Sequence, residues 1–188
     1  MGAARTPRDR WVQEGLAVLA EGGPAAVRVE VLAKRLGVTK GGFYGYFDDR
    51  DALLEAMLDT WERESTQDVL ELVEREGGDA RAKMSRAGRL TFSSERLLPI
   101  DLAVRGWARR DQAVAVRLRR VDEQRLTFLR QMIGTAHSDP DDVEARCLLA
   151  FCLAIGRHFL AADQGEHASA DVLNRAGDLI FGGSMPGG

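Results

Sequence analysis

No apolar run in this 188-residue chain is long enough to cross a bilayer. The longest, Cys147 to Ile155 (CLLAFCLAI), has nine residues, against the roughly 20 that a span requires. The opening residues, MGAARTPRDRW, lack the apolar stretch of a signal peptide, so the expectation is a cytoplasmic protein with no membrane partner. Cysteine is scarce. Cys147 and Cys152 lie five positions apart, about 500° around a helix, so they point different ways and cannot bridge within it. Both are expected as small buried apolar side chains. The three histidines, His137, His158 and His167, show no metal-ligand spacing. Walker loops, GxSxG and HExxH are absent. Asp139, Asp141 and Asp142 cluster, but at a helix start, where acids favour the helix dipole. The sequence thus argues against an enzyme, a cofactor or a metal site. Alternating β-branched runs and Asn-Gly hairpin turns are missing too, which argues against a sheet.

What is present is an ordinary globular composition, 45% apolar and 29% charged, at a size for one or two domains. The net charge is −3, yet it is unevenly spread. Residues 1–47 carry seven basic side chains (Arg5, Arg8, Arg10, Arg28, Lys34, Arg35, Lys40) and four acidic ones (Asp9, Glu14, Glu21, Glu30), a balance of +3 that leaves −6 for the remainder. A basic head on an acidic body suits a polyanion-binding head that keeps nucleic acid off the rest of the molecule.

Apolar spacing predicts helices throughout. Thr6 is a candidate cap for the first, with Pro7 at its first position and Trp11, Val12, Gly15, Leu16 and Leu19 on one stripe. Gly22-Gly23-Pro24 stops it. A short helix from about Val29 to Leu36 turns inward Val29, Leu32, Ala33 and Leu36. Gly37 ends it, Val38 packs the turn, and Thr39 caps a third short helix through about Tyr46. A long helix capped by Asp49 or Asp48 carries Leu53, Leu54, Met57, Leu58 and Trp61, and the pattern continues to Glu76. Further helices are expected over Asp79–Phe92, Leu97–Arg109, from Asp111 to Gly134, from Asp139 to about Ala162, and over Ser169–Phe181. The tail GGSMPGG is expected to be flexible.

The strongest constellation is Val29 to Phe47, VEVLAKRLGVTKGGFYGYF. Two helices of about two turns joined at a glycine are the sequence form of a helix-turn-helix. Ala33 permits a close crossing, Gly37 a left-handed turn, and Val38 plugs the corner. The second helix then stands as a probe for a major groove roughly 12 Å wide.

The stretch Trp11 to Leu54 resembles the TetR family of transcriptional regulators. The resemblance rests on the Gly22-Gly23 stop, Leu32-Ala33, the run GVTKGGFY-x-x-F from Gly37 to Phe47, and Asp51 to Leu54 opening the next helix. It implies an all-α fold of about nine helices. A three-helix helix-turn-helix DNA-binding head over 1–50 would stand on a helical effector-binding and dimerisation body over 51–183, with a tail over 184–188. It implies a homodimeric, ligand-responsive repressor that binds palindromic operator DNA and is released by a small-molecule effector. By position, Thr39 and Lys40 would meet bases or phosphates, and a helix N-terminus favours phosphate. Gly41 and Gly42 would allow close backbone approach at about 1 kcal/mol of helix propensity each. Tyr44 matches the family tyrosine that meets a phosphate or a thymine methyl, and Tyr46 and Arg50 match backbone-gripping positions, although Tyr46 also reads as packing. Two departures stand out. Arg28 replaces the usual Ser or Thr cap of the second helix, and a guanidinium there can hold phosphate directly. Glu30 stands where some members carry a base-reading cation. Phe43 and Phe47 read as head core. Lys34 and Arg35 read as a solvated face or as contacts; Arg5, Arg8 and Arg10 as a DNA-reaching arm or a basic tail.

For the body, the resemblance implies a pocket among the middle helices, with Trp61, Phe92, Trp107, Phe128 and Met132 as candidate walls and Arg105 as a partner for an anionic group. The Cys147–Ile155 helix is apolar on every face, so it should be covered on one side by its own body and on the other by a second chain. With Phe151, Ile155 and Phe159 it forms the candidate dimer interface, joined by Val172, Ala176 and Leu179 of the last helix.

Overall fold

The structure, a computed structural model, describes residues 7–161 and 169–182. Among them are nine α-helices, three short 3-10 segments and no strand. Thr6, Arg5, His167 and the tail over 184–188 lie outside the described residues.

Helix α1 spans Arg8–Gly22, with Pro7 at its N-cap position. Its buried stripe of Trp11, Val12, Gly15, Leu16 and Leu19 follows the helical period, and Val18 widens it. Gly15 sets how closely the next long helix approaches: a Cβ there would stand 2.6 Å from Met57 Sδ. After the 3-10 turn Pro24–Ala26, helix α2 covers Val29–Leu36 and buries Val29, Leu32 and Ala33. Gly37 takes the left-handed conformation, φ 68°, which costs a glycine little. Its N–H donates to Lys34 O, while that of Val38 donates to Ala33 O at 2.9 Å, so the last carbonyls of α2 are satisfied.

The expected third short helix is a 3-10 segment, Lys40–Gly45. Three of its six residues are glycine, each poor at helix propagation, and six residues are too few to offset nucleation. The segment is held by Phe43, which is fully buried and packs edge-on against Trp11 and stacked on Phe47.

Helix α3, Arg50–Ser65, starts at Asp49, whose carboxylate accepts from Ala52 N–H at 2.8 Å. The expected continuation to Glu76 is interrupted. Thr66 leaves helical geometry and donates its hydroxyl to Glu62 O, after which α4 runs Gln67–Glu76. A threonine hydroxyl competing for backbone carbonyls loosens a helix, and the redirected chain buries Val69 and Val73 in a second core. Helices α5 (Ala80–Phe92), α6 (Leu97–Ala108), α7 (Gln112–Ile133), α8 (Pro140–Gly156) and α9 (Ser169–Phe181) follow. Asp79, Asp111 and Asp139 each accept from first-turn N–H groups of the helix they precede. Helix α8 passes into a 3-10 turn at Arg157–Phe159 rather than continuing to Ala162.

Two apolar clusters hold these helices. The first joins α1, α2, Phe43, Phe47 and α3 to Ile100 and Val104 of α6 and Val114 and Val121 of α7. It therefore runs straight across residue 50. The second lies among α4, α5, α7 and α8, around Val73, Met84, Phe128, Ile133 and Cys147. Cys152, expected to be buried, is exposed, because five positions on from Cys147 carries it to the outer face of α8.

Candidate nucleic-acid interface and ligand cavity

The end of the head displays one side of the turn after α2. Phe43 and Phe47 face inward, so the intervening side chain of Tyr44 is forced out and is 62% exposed. Thr39, Lys40 and Gly41 are exposed beside it, while Gly42 and Tyr46 are half-buried, the latter against the first core. Arg28 is exposed at the N-cap of α2 and forms no side-chain cap.

Two expected contacts have internal partners. Glu30, in the first turn of α2, accepts from Lys40 Nζ at 2.6 Å. That hydrogen bond and charge hold the Glu30 carboxyl below its ordinary pKa. The acid that departs from the expected pattern is thus the resting partner of the principal cation. Both side chains are more than half exposed, so the pair is weak and exchangeable. Arg50 is half-buried, and its guanidinium donates to Val27 O at 2.6 Å and to Pro24 O. It clasps the turn between α1 and α2, where the Pro24 carbonyl also accepts from Val27 N–H, instead of standing free to grip phosphate. Arg35 is drawn back to α1 by Glu14 and Glu21, whereas Lys34 stays exposed. Arg8 lies over the Phe47 ring at 4.8 Å and Arg10 is exposed on α1.

In the body, the end of α3 and helices α4, α5, α7, α8 and α9 surround a cavity of about 310 Å³. Phe92 and Phe128 line it, together with Phe151, which meets Phe92 edge-on at 6.2 Å. Phe151 therefore faces inward, away from the surface where a partner was expected. The other wall candidates lie elsewhere. Trp61 is fully buried in the first core, Trp107 packs beside that core and donates to Asp111, and Met132 packs against the second core outside the cavity. Arg105 is spent on an internal network. It reaches Asp101 at 2.8 Å and Asp122 at 2.6 Å, and Arg125 reaches Asp101 at 2.9 Å. Burial by itself would raise the pKa of Asp101; the Arg125 and Arg105 guanidiniums outweigh it and hold the carboxyl below its ordinary value.

Sequence reasoning missed Ser65, Thr66, Met84, Arg125 and Arg157 of the cavity wall. The available signal was the Ser65-Thr66 pair at the end of an otherwise apolar stripe.

On the outer face of α8 and α9, Phe159 and Leu179 are exposed, with Ile155, Val172 and Ala176 half-buried. Leu148, Leu149 and Leu160, not singled out in the sequence, are each more than half exposed on or next to α8. A run of large exposed apolar side chains is unusual for a monomer's surface. Among the described residues no helix is long and apolar enough to cross a membrane, and no His, Cys, Asp and Glu group is arranged to hold a metal.

Residues 12–57 match the family described as bacterial regulatory proteins, tetR family. Solved structures resemble nearly the whole chain. A transcriptional regulator from Rhodococcus sp. Rha1 is 23% identical, with 94% of this chain and 95% of that one covered at a TM-score of 0.72. The transcriptional regulator FadR from Bacillus subtilis, solved with stearoyl-CoA, is 18% identical over 95% of this chain and 100% of its own, TM-score 0.68. AibR, solved with isovaleryl coenzyme A and operator DNA, is 14% identical over 92% and 98%, TM-score 0.63. At these identities the likeness is one of fold. No curated protein matches the chain in sequence.

Proposed function

Because residues 12–57 match the family described as bacterial regulatory proteins, tetR family, we propose that the chain is a transcriptional regulator of that family, a homodimeric repressor that binds palindromic operator DNA and releases it when a small molecule fills the body cavity. The observation that carries this reading is the exposed edge Thr39–Tyr44, with Lys40 and Tyr44 outward over a backbone anchored by buried Phe43. Such an edge is shaped to enter a groove, with two glycines where a side chain would hold the backbone away. Arg28, Thr39, Lys40, Gly41, Gly42, Tyr44 and Tyr46 form the proposed contact surface, and Arg50 positions it from behind. Lys40 exchanges Glu30 for a phosphate or a base edge as DNA arrives.

A second copy of the chain is the proposed cover for Leu148, Leu149, Phe159 and Leu179, placing two such edges about 34–36 Å apart, one turn of DNA. Helix α3 links site to cavity. It begins at Arg50 behind the DNA-facing edge, and its last residue, Ser65, lines the cavity with Thr66. Its 16 residues span about 24 Å. Arg117 of α7 pairs with Glu55, Asp59 and Glu62 along α3, so α3 moves with the body rather than independently of it. A ligand that fits best when α3 is tilted shifts the population toward splayed heads, by as much as its differential affinity for the two states. The coenzyme A thioesters bound to FadR and AibR support a small-molecule effector.

The test is selection of genomic DNA fragments by the purified full-length protein. Enrichment of palindromic fragments, including one from near its own gene, is expected. Recovery of no sequence above background overturns the proposal.

A further inference from the structure

Four arginines line the cavity, Arg81, Arg89, Arg125 and Arg157, and among its described lining residues there is no aspartate or glutamate. Their charges are not equally available. Arg81 is paired with Asp178. Arg125 belongs with Arg105 to a network holding two acids, Asp101 and Asp122, so that network is neutral. Arg89 and Arg157 have no carboxylate in ion-pair range among the described residues; Arg157 is tied only to Phe92 O, Ser93 Oγ and His158. Among the described residues the cavity wall therefore has a positive surplus.

Deep in the wall are donors without acceptors. The Arg125 side chain is 9% exposed, and its Nε and Nη1 have no hydrogen-bond partner, Nη1 standing 3.7 Å from Asp122. Its guanidinium lies over the Phe92 ring at 5.1 Å. Ser65 is 2% exposed, and its Oγ likewise has no partner. Buried polar groups are nearly always hydrogen-bonded, and leaving one unmade is costly. Around them the wall is apolar: Met84, Phe92, Phe128, Phe151 and Ile180.

Resting on the reading of this cavity as the effector site, we propose that its ligand is an anionic amphiphile. An apolar chain lies among the phenylalanines, and an oxygen-rich head accepts from Arg125 and Ser65 under the positive charge of Arg157. A free carboxylate and the carbonyl end of an acyl thioester share this chemistry, and a cationic head is rejected by the surplus.

The experiment is calorimetric titration of the full-length protein with decanoate, decanoyl-CoA, decan-1-ol and decylamine. Decanoate or decanoyl-CoA should bind at least about ten-fold tighter than both other compounds. Whichever is tighter identifies the source of the head. Decanol or decylamine binding within three-fold of the better acid, or no binding by any of the four, overturns the proposal. Ser65→Ala removes an unsatisfied buried hydroxyl, so its unliganded melting temperature should be equal or higher while affinity for the acid ligand falls about five-fold. Arg157→Gln should weaken the acids more than decanol. Unchanged acid affinity in both variants overturns the assignment. Binding of the selected DNA by unliganded protein is measured alongside. If it persists while ligand preference fails, the ligand class alone is wrong; if it is absent, the regulator reading has failed first.

Discussion

Gly41→Ala should make the protein more stable and a poorer DNA binder. Gly41 does not adopt positive φ; the described glycines that do are Gly23, Gly37, Gly77 and Gly78. A Cβ built at Gly41 has Thr39 Oγ1, 3.8 Å away, as its nearest neighbour, an ordinary contact. The native state thus accepts alanine without displacement. The unfolded chain loses freedom, which is worth about 0.4–1 kcal/mol of stability, or about 1–4 °C in melting temperature for a chain of this size. On DNA the sign reverses. If the exposed backbone at Gly41 lies against the duplex, the methyl must push it away, and an overpacked contact costs about 1–3 kcal/mol, about 5- to 150-fold in affinity. Thermal melting and fluorescence anisotropy on a selected operator read the two effects separately. Gly42→Ala, whose Cβ would sit 3.8 Å from Trp11 Cζ2, should likewise be tolerated in the fold. An affinity for DNA within two-fold of the parent in Gly41→Ala refutes the close-approach argument, and a lowered melting temperature refutes the backbone argument.

Asp101→Asn leaves Arg105 and Arg125 with Asp122 as their remaining acid, and breaking a buried pair this way should cost about 3–5 kcal/mol in urea unfolding; a loss under about 1 kcal/mol would mean the network is replaceable. Leu148→Glu with Leu149→Glu sets four carboxylates into the proposed interface, and sedimentation velocity should show dimer association weakened at least about 30-fold, while an unchanged dimer would place the interface elsewhere. Burial, and then the Arg157 charge, lower the pKa of His158. Between that lowered value and the ordinary one near 6.5 the unfolded chain binds more protons, so stability rises with pH through this window. His158→Gln should flatten that rise in pH-dependent melting, and an identical pH profile would refute the assignment.

Local rules made the head readable from sequence. Gly37, Ala33 and Phe43 each have one geometric task, and the structure sets them to it. The caps at Asp49, Asp111 and Asp139 were legible for the same reason: a side-chain oxygen reaching an N–H two or three residues on is a matter of local geometry. The break at Thr66 was not legible, since the apolar period of α3 and α4 runs through it and only tertiary burial of Val69 and Val73 decides the bend. The cavity wall was harder still. Trp61 and Trp107 have the size of wall residues, but packing of α3 and α6 into the first core claims them. Arg105 was singled out for charge, yet two acids from α6 and α7 occupy it. Phe151 and Leu148 sit three positions apart on one apolar helix, and which faces the cavity depends on the rotation of α8, which its all-round apolar pattern leaves undetermined. In one dimension Glu30 read as a departure that weakens base readout from α2. In three it accepts from Lys40.

The central claim is that the edge beginning at Thr39 meets the phosphate-lined groove of duplex DNA. The direct measurement is operator affinity against salt concentration for the parent protein and for Lys40→Ala. Each phosphate contact contributes a slope of about 0.9 in log affinity against log salt. A dimer losing one contact per protomer should therefore bind more weakly with a slope shallower by about 1.8. Equal slopes and equal affinities for the two proteins would contradict the account.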